Sequence, residues 1–404
     1  MTAPLELAES NPALCQAIAQ SITTAPQQRI SFAQFMDLAL YHPQYGYYVA
    51  HPQGIQSDFF TSPHLGADFG ELLAEQFAQM WQVCDRPRPF TLVEMGAGQG
   101  LIVQDVLRYL HRHHFECFEA LEYLIVEKSP AMIAAQQQRL QKLADSWGRL
   151  SWKTWDEIPS HSLVGCCFSN ELVDAFPVHQ ITLVDGQLQE IYVTLSTQEA
   201  IANPFHFTET VAAPSTPKLA EYFDLIGLDF PSAQYADGYR SEVNLAALDW
   251  LTTVADRLQT GYLLTLDYGY PAQRYYSPTR SQGTLQCYYQ HAHHSDPYVA
   301  IGRQDITAHV DFTALERQGE RCGLQTVGFT QQGLFLMALG LGDRIATLSH
   351  PSNVDQPLAD ILRRRESLHA LINPLGLGNF GVLIQSKGLS HPHPLQGLTI
   401  PPMI

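Results

Sequence analysis

Apolar residues follow a helical spacing near the N-terminus and then change to short runs that are typical of buried strands. SFAQFMDLALY repeats apolar residues at helical intervals after Ser31, a favourable helix N-cap, and a second helix is predicted at roughly 65–83. From residue 90 the strand patterns TLVEMG, YLIVEK, LSWKTW and LVGCCF alternate with helices at 100–114 and 130–145. This alternation predicts an α/β fold with a doubly wound parallel sheet after an N-terminal helical region.

Two later segments depart from this alternation. HQITLVDGQLQEIYVTL alternates with period two around an Asp-Gly turn, which predicts a hairpin insertion, and a loop-like region follows a helix at 241–258. Late strands are predicted in GYLLTLDYGY, VGFTQQGLFLMAL and FGVLIQSKG. The predicted organisation is a helical region with a lid loop at 1–85, a core at 86–388 with an insertion at about 180–240 and an accessory loop region at about 271–312, and a frayed tail at 389–404.

The turn after the first core strand carries the clearest chemical signal. Glycines at 96, 98 and 100 stand between a strand and a helix start, where free N–H groups and close backbone approach favour a ligand. A dinucleotide fingerprint would place its third glycine at position 101, which is Leu. Glu94 would oppose a pyrophosphate but suits an ammonium group, and Glu127 at the next strand end suits ribose hydroxyls. These features favour S-adenosylmethionine over a nicotinamide cofactor; the alternative is a tight turn with exposed acids.

The amino-acid composition limits the kinds of binding partner that are expected for this chain. The 404 residues include 23 Lys and Arg against 40 Asp and Glu, a formal charge of −17, which disfavours nucleic acid and anionic membranes and favours a cationic substrate, although acidic surfaces also serve solubility. Seven scattered cysteines without a C-x-x-C pair indicate a reducing compartment. The first residues, MTAPLELAES, show no leader pattern and no long apolar run follows, which predicts a soluble cytoplasmic protein.

Four predicted strands end in polar residues, which should converge on one rim of a doubly wound sheet. These residues are Glu94, Glu127, Asn170 with Glu171, and Asp267 with Tyr268. Glu171 and Asp174 are three positions apart and would share a helical face if a helix begins there. Two such carboxylates can clamp a guanidinium group through paired hydrogen bonds; the alternative is a helix N-terminus enriched in acids.

Other polar clusters are weaker signals. Asp58, Thr61 and Ser62 lie in a loop ahead of a helix and are most simply a helix cap. His309, with Asp305 and Asp311 nearby, invites an acid/base interpretation, but a structural histidine is more common. HAHHS at 291–295 lacks fixed partners, so no metal site is predicted.

The chain resembles the MidA/NDUFAF7-type methyltransferases from about residue 30 to residue 388. The motifs that carry the resemblance are YHPQYGYY, DFFTSPHLGADFGELL, VEMGAGQGLIVQDVLR, IVEKSPAM, SNELVDAFPVHQ, LTLDYGY, GTLQCYYQHAHHSDPY, GRQDITAHVDF and QQGLFL. The resemblance implies a class I, Rossmann-like methyltransferase fold, S-adenosyl-L-methionine as cofactor, and methylation of a protein arginine during assembly of respiratory NADH dehydrogenase. The chain departs from the family's usual GDF at Ser57-Asp58-Phe59 and from its GPGRG at Ala97 and Gln99.

Under this resemblance each candidate residue receives a role. Glu171 and Asp174 would orient the arginine, with Asp267, Tyr268 and His309 as accessory groups. The cofactor contacts would come from the following residues: Thr61, Ser62, Glu94, Gly96, Gly98, Gly100, Glu127, Asp156 and Asn170. An assembly chaperone that binds the cofactor without transfer, and a small-molecule methyltransferase, remain alternatives, and a homodimer is left open.

Overall fold

The computed structural model describes residues 9–50, 61–196, 205–290, 292–348, 357–389 and 393–400. Its strands are β1 (Ile30–Ser31), β2 (Phe90–Met95), β3 (Leu121–Val126), β4 (Leu150–Trp152), β5 (Leu163–Asn170), β6 (His179–Val184), β7 (Gln187–Leu195), β8 (Phe207–Ala212), β9 (Arg240–Val243), β10 (Leu258–Asp267), β11 (Gly269–Tyr270), β12 (Gln286–Tyr289), β13 (Ala292–His294), β14 (Asp305–Thr307), β15 (Val310–Asp311), β16 (Gln325–Gln331) and β17 (Gly381–Lys387).

The α-helices among these residues are α1 (Pro12–Thr24), α2 (Phe32–Tyr41), α3 (Tyr47–Ala50), α4 (Asp68–Val83), α5 (Leu101–His113), α6 (Phe115–Ala120), α7 (Pro130–Trp147), α8 (Lys218–Ile226), α9 (Leu245–Arg257), α10 (Ala272–Tyr275), α11 (Phe312–Arg321), α12 (Gln332–Ala338), α13 (Leu341–Leu348) and α14 (Leu358–Ile372). None of the described helices is long and apolar enough to cross a membrane.

A seven-stranded sheet forms the centre of the molecule, in the order β16-β17-β10-β5-β2-β3-β4. Neighbouring strands from β10 to β4 are parallel, whereas β17 is antiparallel to both of its neighbours. The chain proceeds from β2 outward to β4 and then returns to place β5 on the other side of β2. The strand order therefore reverses between β2 and β5, and ligands in such sheets bind beyond the strand ends at this point. The doubly wound α/β prediction is confirmed.

Helices cover both faces of this sheet because each presents one apolar stripe. On α5 the stripe contains Ile102, Val106 and Leu110, which pack with α4 in the core on one face. On the other face α9 and α11 contribute side chains that include Leu251 and Phe312. The glycine turn and the strand ends thus rest on a core buried from both sides.

A second, antiparallel sheet joins the N-terminal helices to the middle of the chain. Its order is β1-β7-β6-β9, with β8 beside β7. The predicted Asp-Gly turn connects β6 and β7, and both Asp185 and Gly186 have positive φ, as a tight hairpin requires. Since β9 extends to Val243, the helix predicted at 241–258 begins only at Leu245, after the N-cap Asn244.

Two late predictions are wrong. VGFTQQGLFLMAL does not form one strand: β16 ends at Gln331 and α12 continues from Gln332, because a continuous apolar run fits a buried helix as well as a strand. The tail does not fray at 393–400, where Leu395 is buried in the core and the Gly397 N–H donates to Gln76 Oε1 at 3.0 Å.

Gly165 lies at a position of very close backbone approach in the sheet. A Cβ there would lie 2.0 Å from the Thr91 carbonyl oxygen on β2. Gly165→Ala is therefore expected to lower the free energy of unfolding by about 3 kcal/mol, as measured by urea denaturation. The matched control is Gly227→Ala, which has positive φ but no atom within 4 Å of the new Cβ, and is expected to lose about 1 kcal/mol. Equal losses would contradict this steric account.

Candidate active site

A cavity opens where the strand order reverses, beyond the carboxyl ends of β2, β3 and β5. Its wall includes the glycine turn and carboxylates from three strand ends, Glu94, Glu127 and Glu171. Asn170 and Tyr268 also line it. The structure thus brings together the strand-end residues for which sequence predicts convergence, with Asp267 lying directly behind this wall.

The glycine turn fits the cavity closely. Gly96, Gly98 and Gly100 all have positive φ, and Gly100 is the N-terminal cap of α5. A Cβ on Gly96 would meet Leu172 Cδ1 at 2.7 Å, whereas a Cβ on Gly98 would meet nothing within 4 Å. The turn therefore packs tightly against the protein at Gly96 and leaves open space beside Gly98.

Glu94 is the most deeply buried acid of this turn, with 3% of its surface exposed. The Tyr123 hydroxyl donates to its Oε2 at 2.7 Å. Burial raises the pKa of Glu94 to about 8, although the Tyr123 bond partly opposes the rise. A cation placed beside Glu94 would favour its ionised form.

Glu127 is held in a fixed orientation at the end of β3. Its Oε1 accepts the backbone N–H groups of Lys128 at 2.9 Å and Ser129 at 3.0 Å. Gln136 on α7 donates Nε2–H to Glu127 Oε2 at 3.3 Å and to the Gly98 carbonyl at 2.9 Å. One buried amide therefore ties the second acid to the glycine turn, a link that no sequence pattern predicted.

Asp267 organises the turn that carries Glu171 and Asp174. It is fully buried at the end of β10, and its Oδ2 accepts backbone N–H groups from Leu172, Val173 and Asp174 at 2.9–3.3 Å. Burial and the neighbouring Asp174 and Glu171 raise the pKa of Asp267 well above its usual range. Asp267 therefore fixes the backbone of this turn and is not among the residues that line the cavity.

The expected helix at this turn is only a 3₁₀ turn, Val173–Ala175, and Glu171 precedes it. Glu171 has φ of +50°, a conformation that non-glycine residues rarely adopt. Burial, then the nearby Asp174, raises the pKa of Glu171 to about 8. The two carboxylates share the cavity because of this strained turn, and the helical face that sequence predicted is absent.

Asp174 and Tyr268 supply two unsatisfied polar atoms. Asp174 is 5% exposed, and burial raises its pKa to about 6. The nearby Tyr268 hydroxyl partly opposes this rise in the pKa of Asp174. Within the described structure neither Asp174 Oδ1 nor the Tyr268 hydroxyl has a hydrogen-bond partner, which suits a ligand that donates hydrogen bonds.

The segment before α4 contacts the site in two ways. Thr61 lines the cavity and its hydroxyl lies 2.6 Å from His64 Nδ1. Ser62 is fully buried and does not line the cavity: its backbone N–H donates to Glu171 and its hydroxyl donates to Gln332 Oε1 at 3.3 Å. Ser62 therefore supports Glu171, and Asp58 lies outside the described residues.

Two predicted site residues do not line the cavity. Asp156 is exposed, on a 3₁₀ turn after β4. His309 stacks on Tyr270, with ring centroids 5.1 Å apart, and burial lowers its pKa to about 4. Neither is among the residues that line the cavity, but His309 also packs edge-on against the lining residue Tyr268, with ring centroids 5.1 Å apart.

The lining also includes residues that were not predicted as site residues, and three of them are polar side chains from distant elements. Tyr41 and Tyr48 come from the N-terminal region, and Asp305 comes from β14. The Tyr48 hydroxyl donates to Asp305 Oδ2 at 2.8 Å. Both tyrosines fall within or beside the YHPQYGYY motif, whose aromatic density was the available signal.

Comparison with known proteins identifies the family. A family model described as "Putative S-adenosyl-L-methionine-dependent methyltransferase" matches residues 72–330. The chain belongs to this family. Relatives include the Drosophila melanogaster mitochondrial protein arginine methyltransferase NDUFAF7 homologue, 30% identical over 80% of this chain and 73% of that protein, and human NDUFAF7, 28% identical over 89% and 81%.

A solved structure supports the same conclusion. A candidate methyl transferase from Burkholderia thailandensis, bound to S-adenosyl-homocysteine, is 30% identical with a TM-score of 0.81, covering 95% of this chain and 94% of that one. The class I methyltransferase fold and the S-adenosyl-L-methionine cofactor are therefore confirmed, and this chain is a methyltransferase. The relatives are named mitochondrial, so they give no support to the cytoplasmic prediction.

The cavity of this methyltransferase fits the cofactor. Gly98 leaves open space beside the turn, Glu127 presents a fixed carboxylate, and the buried Asn170 Oδ1 has no hydrogen-bond partner in the described structure. Glu94 lines the same side as a deeply buried acid. These groups suit a nucleoside joined to a cationic amino acid, the two halves of S-adenosylmethionine.

The Gln136 bridge gives a prediction for cofactor affinity. Gln136→Leu would leave the Gly98 carbonyl and the Trp152 indole N–H, which donates to Gln136 Oε1 at 3.0 Å, without this partner. We expect the affinity for S-adenosylhomocysteine, measured by calorimetry, to fall about tenfold, since an unpaired buried polar group costs roughly 1–3 kcal/mol. Gln137→Leu, an exposed change on the same helix, is the control. Unchanged affinity in Gln136→Leu would show that the bridge does not shape the site.

Proposed function

We propose that this methyltransferase transfers a methyl group to an arginine side chain of a protein. The carrying observation is the pair of carboxylates, Glu171 and the buried Asp174, on one turn of the cavity, with Asp174 Oδ1 lacking a hydrogen-bond partner in the described structure. Three more acids, Glu94, Glu127 and Asp305, line the cavity, and no Lys or Arg lines it within the described structure. A cavity of this charge favours a cationic acceptor. The names of the relatives support arginine as that acceptor.

The cofactor half of the proposal assigns a role to each polar group near the glycine turn. Glu94 would hold the α-ammonium group and Glu127 the ribose hydroxyls, while Gly96 to Gly100 allow close backbone approach. Asn170 and Thr61 would contact the cofactor from the opposite wall. Asp156 and Ser62 have no contact role in this proposal, because neither lines the cavity.

The acceptor half assigns the chemistry to Glu171 and Asp174. S-adenosylmethionine supplies an electrophilic methyl group on a sulfonium. The two carboxylates accept N–H bonds from the guanidinium, which fixes one nitrogen in line with that methyl group. A new N–C bond forms as the S–C bond breaks, and the proton released by the nitrogen passes to a carboxylate. Asp267 and Tyr268 position this pair through the backbone and the Asp174 carboxyl.

The protein substrate and the compartment belong to the same proposal. The resemblance favours a subunit of respiratory NADH dehydrogenase as the acceptor. All seven cysteines are free thiols, which suits a reducing compartment, either the cytoplasm or a mitochondrial matrix. Whether the chain pairs with a second copy is decided by its mass in solution.

The test is transfer of labelled methyl groups from S-adenosylmethionine into lysate proteins, followed by hydrolysis and separation of methylated amino acids. Labelled methylarginine is the expected result. Label confined to small molecules would favour a small-molecule methyltransferase, and cofactor binding without any transfer would favour an assembly chaperone. A chain that binds no S-adenosylmethionine in calorimetry would overturn the proposal as a whole.

A further inference from the structure

The turn Val173–Ala175 is attached to two elements outside the central sheet. The Ala308 N–H, just after β14, donates to the Asp174 carbonyl at 2.9 Å. The Tyr41 hydroxyl, at the end of α2, donates to the Ala175 carbonyl at 3.0 Å. Asp305 lies three residues before Ala308 and therefore sits at the Asp174 end of the cavity, which it lines.

Asp305 is a buried acid to which the proposed function assigns no specific role. It is 3% exposed, and its Oδ2 accepts the Tyr48 hydroxyl at 2.8 Å. Its Oδ1 accepts the backbone N–H of Ile306 at 2.8 Å, which fixes the carboxyl orientation. A carboxylate oriented in this way on a cavity wall can accept charge-assisted hydrogen bonds from a cationic ligand.

Tyr48 forms an aromatic wall together with Tyr41. Their rings stack with centroids 5.4 Å apart and an interplanar angle of 24°. Lys128 Nζ lies 4.3 Å from the Tyr41 ring centroid, so a cation already contacts this aromatic pair. Tyrosine faces attract flat guanidinium groups, which both stack on the ring and retain their N–H donors at the edge.

Asp305 and the acids of the Glu171–Asp174 turn influence the same tyrosine side chains. Asp305 and Asp174 both raise the pKa of Tyr48, after burial as the main cause. Asp174, Asp305 and Glu171 also raise the pKa of Tyr288, and burial is again the largest cause of this increase. The three carboxylates thus surround the same tyrosine-walled end of the cavity, where Asp174 Oδ1 and the Tyr268 hydroxyl have no hydrogen-bond partner in the described structure.

We infer that Asp305 and Tyr48 form a second recognition point for the acceptor arginine, on elements separate from the Glu171–Asp174 turn. This second point selects arginine over lysine. The inference rests on the proposed function. A guanidinium presents five N–H donors in a plane and can engage carboxylates from two elements while its face lies on tyrosine. An ammonium group has three tetrahedrally arranged donors and no planar face, so it engages two carboxylates and a ring together with poorer geometry.

The test compares initial rates of methylarginine formation in lysate proteins at limiting acceptor concentration. Asp305→Asn is expected to lower this rate about tenfold and to lower the ratio of methylarginine to methyllysine, because a charge-assisted bond is lost. Tyr48→Phe keeps the stacked ring and loses the bond to Asp305, and it is expected to lower the rate about threefold. Asp224→Asn, an exposed change on α8, is the matched control.

Calorimetry with S-adenosylhomocysteine accompanies each variant, and unchanged affinity is expected for all three. If Asp305→Asn and Tyr48→Phe form methylarginine at the wild-type rate, the inference fails while the proposed function stands. If both variants lose S-adenosylhomocysteine affinity in parallel with the rate, the pair maintains the fold and the inference fails. A wild-type chain that forms no methylarginine would instead overturn the proposed function, and the inference with it.

Discussion

Glu171→Gln is expected to lower methyl transfer to protein arginine by about a thousandfold while leaving S-adenosylhomocysteine affinity within about a factor of two. Glutamine keeps the shape of the side chain and removes the charge that would pair with the guanidinium and receive its proton. Loss of one preorganised group at a reacting centre costs roughly two to three orders of magnitude in rate, and loss of a buried charge pair adds to this. Single-turnover radiolabel transfer and calorimetry measure the two quantities.

The variant should fold as the parent does. At pH 7 burial keeps Glu171 largely protonated in the free enzyme, since its pKa is raised to about 8, and glutamine resembles that neutral form. The unusual backbone, with φ of +50°, is equally costly for both residues. Glu122→Gln, an exposed change on β3, is the control. Transfer by Glu171→Gln within tenfold of the parent would remove this carboxylate from the mechanism.

Strand-end residues were predictable because one topological rule locates them. Once a doubly wound sheet is inferred, the residues after β2, β3 and β5 must share an edge, and Glu94, Glu127 and Glu171 do line one cavity. The rule does not give the orientation of these side chains. It could not show that Asp267, at the end of β10, turns both carboxylate oxygens toward backbone N–H groups, because that depends on the conformation of the turn from 171 to 174.

The residues that sequence analysis missed are brought to the site by contacts between segments that are distant in sequence. Tyr48 and Asp305 meet across 257 positions of sequence, and no periodicity connects them. Gln136 is an unremarkable mid-helix amide until α7 packs against the glycine turn. His309, a histidine near aspartates in the sequence, packs between Tyr270 and the cavity-lining Tyr268, and its role stays a prediction. Local sequence pattern therefore located the strand-end residues of the cavity better than the residues that distant elements contribute.

The second large effect expected is a steep rise of kcat/KM for the protein acceptor between pH 6 and pH 8.5. Burial raises the pKa of Glu171 to about 8 and that of Asp174 to about 6, and the ionised carboxylates are the forms that bind a cation. Activity is therefore lost as the pH falls through these values, whereas the acceptor guanidinium stays charged throughout. A single group of pKa about 8 is about 1% ionised at pH 6 and about 75% at pH 8.5, which gives a rise of roughly 75-fold.

The two carboxylates share one turn, so the profile should show two steps that belong to the pair. Glu171→Gln, although slow, is expected to lose the step near pH 8 and to retain only the step near pH 6. Glu94 also has a pKa of about 8, so S-adenosylhomocysteine affinity is measured across the same range to separate cofactor binding from acceptor binding. A profile that stays flat from pH 6 to pH 8.5 would mean that the acceptor does not bind to the ionised pair. A rise that persists unchanged in Glu171→Gln would assign it to another group, and the cofactor titration identifies whether that group is Glu94.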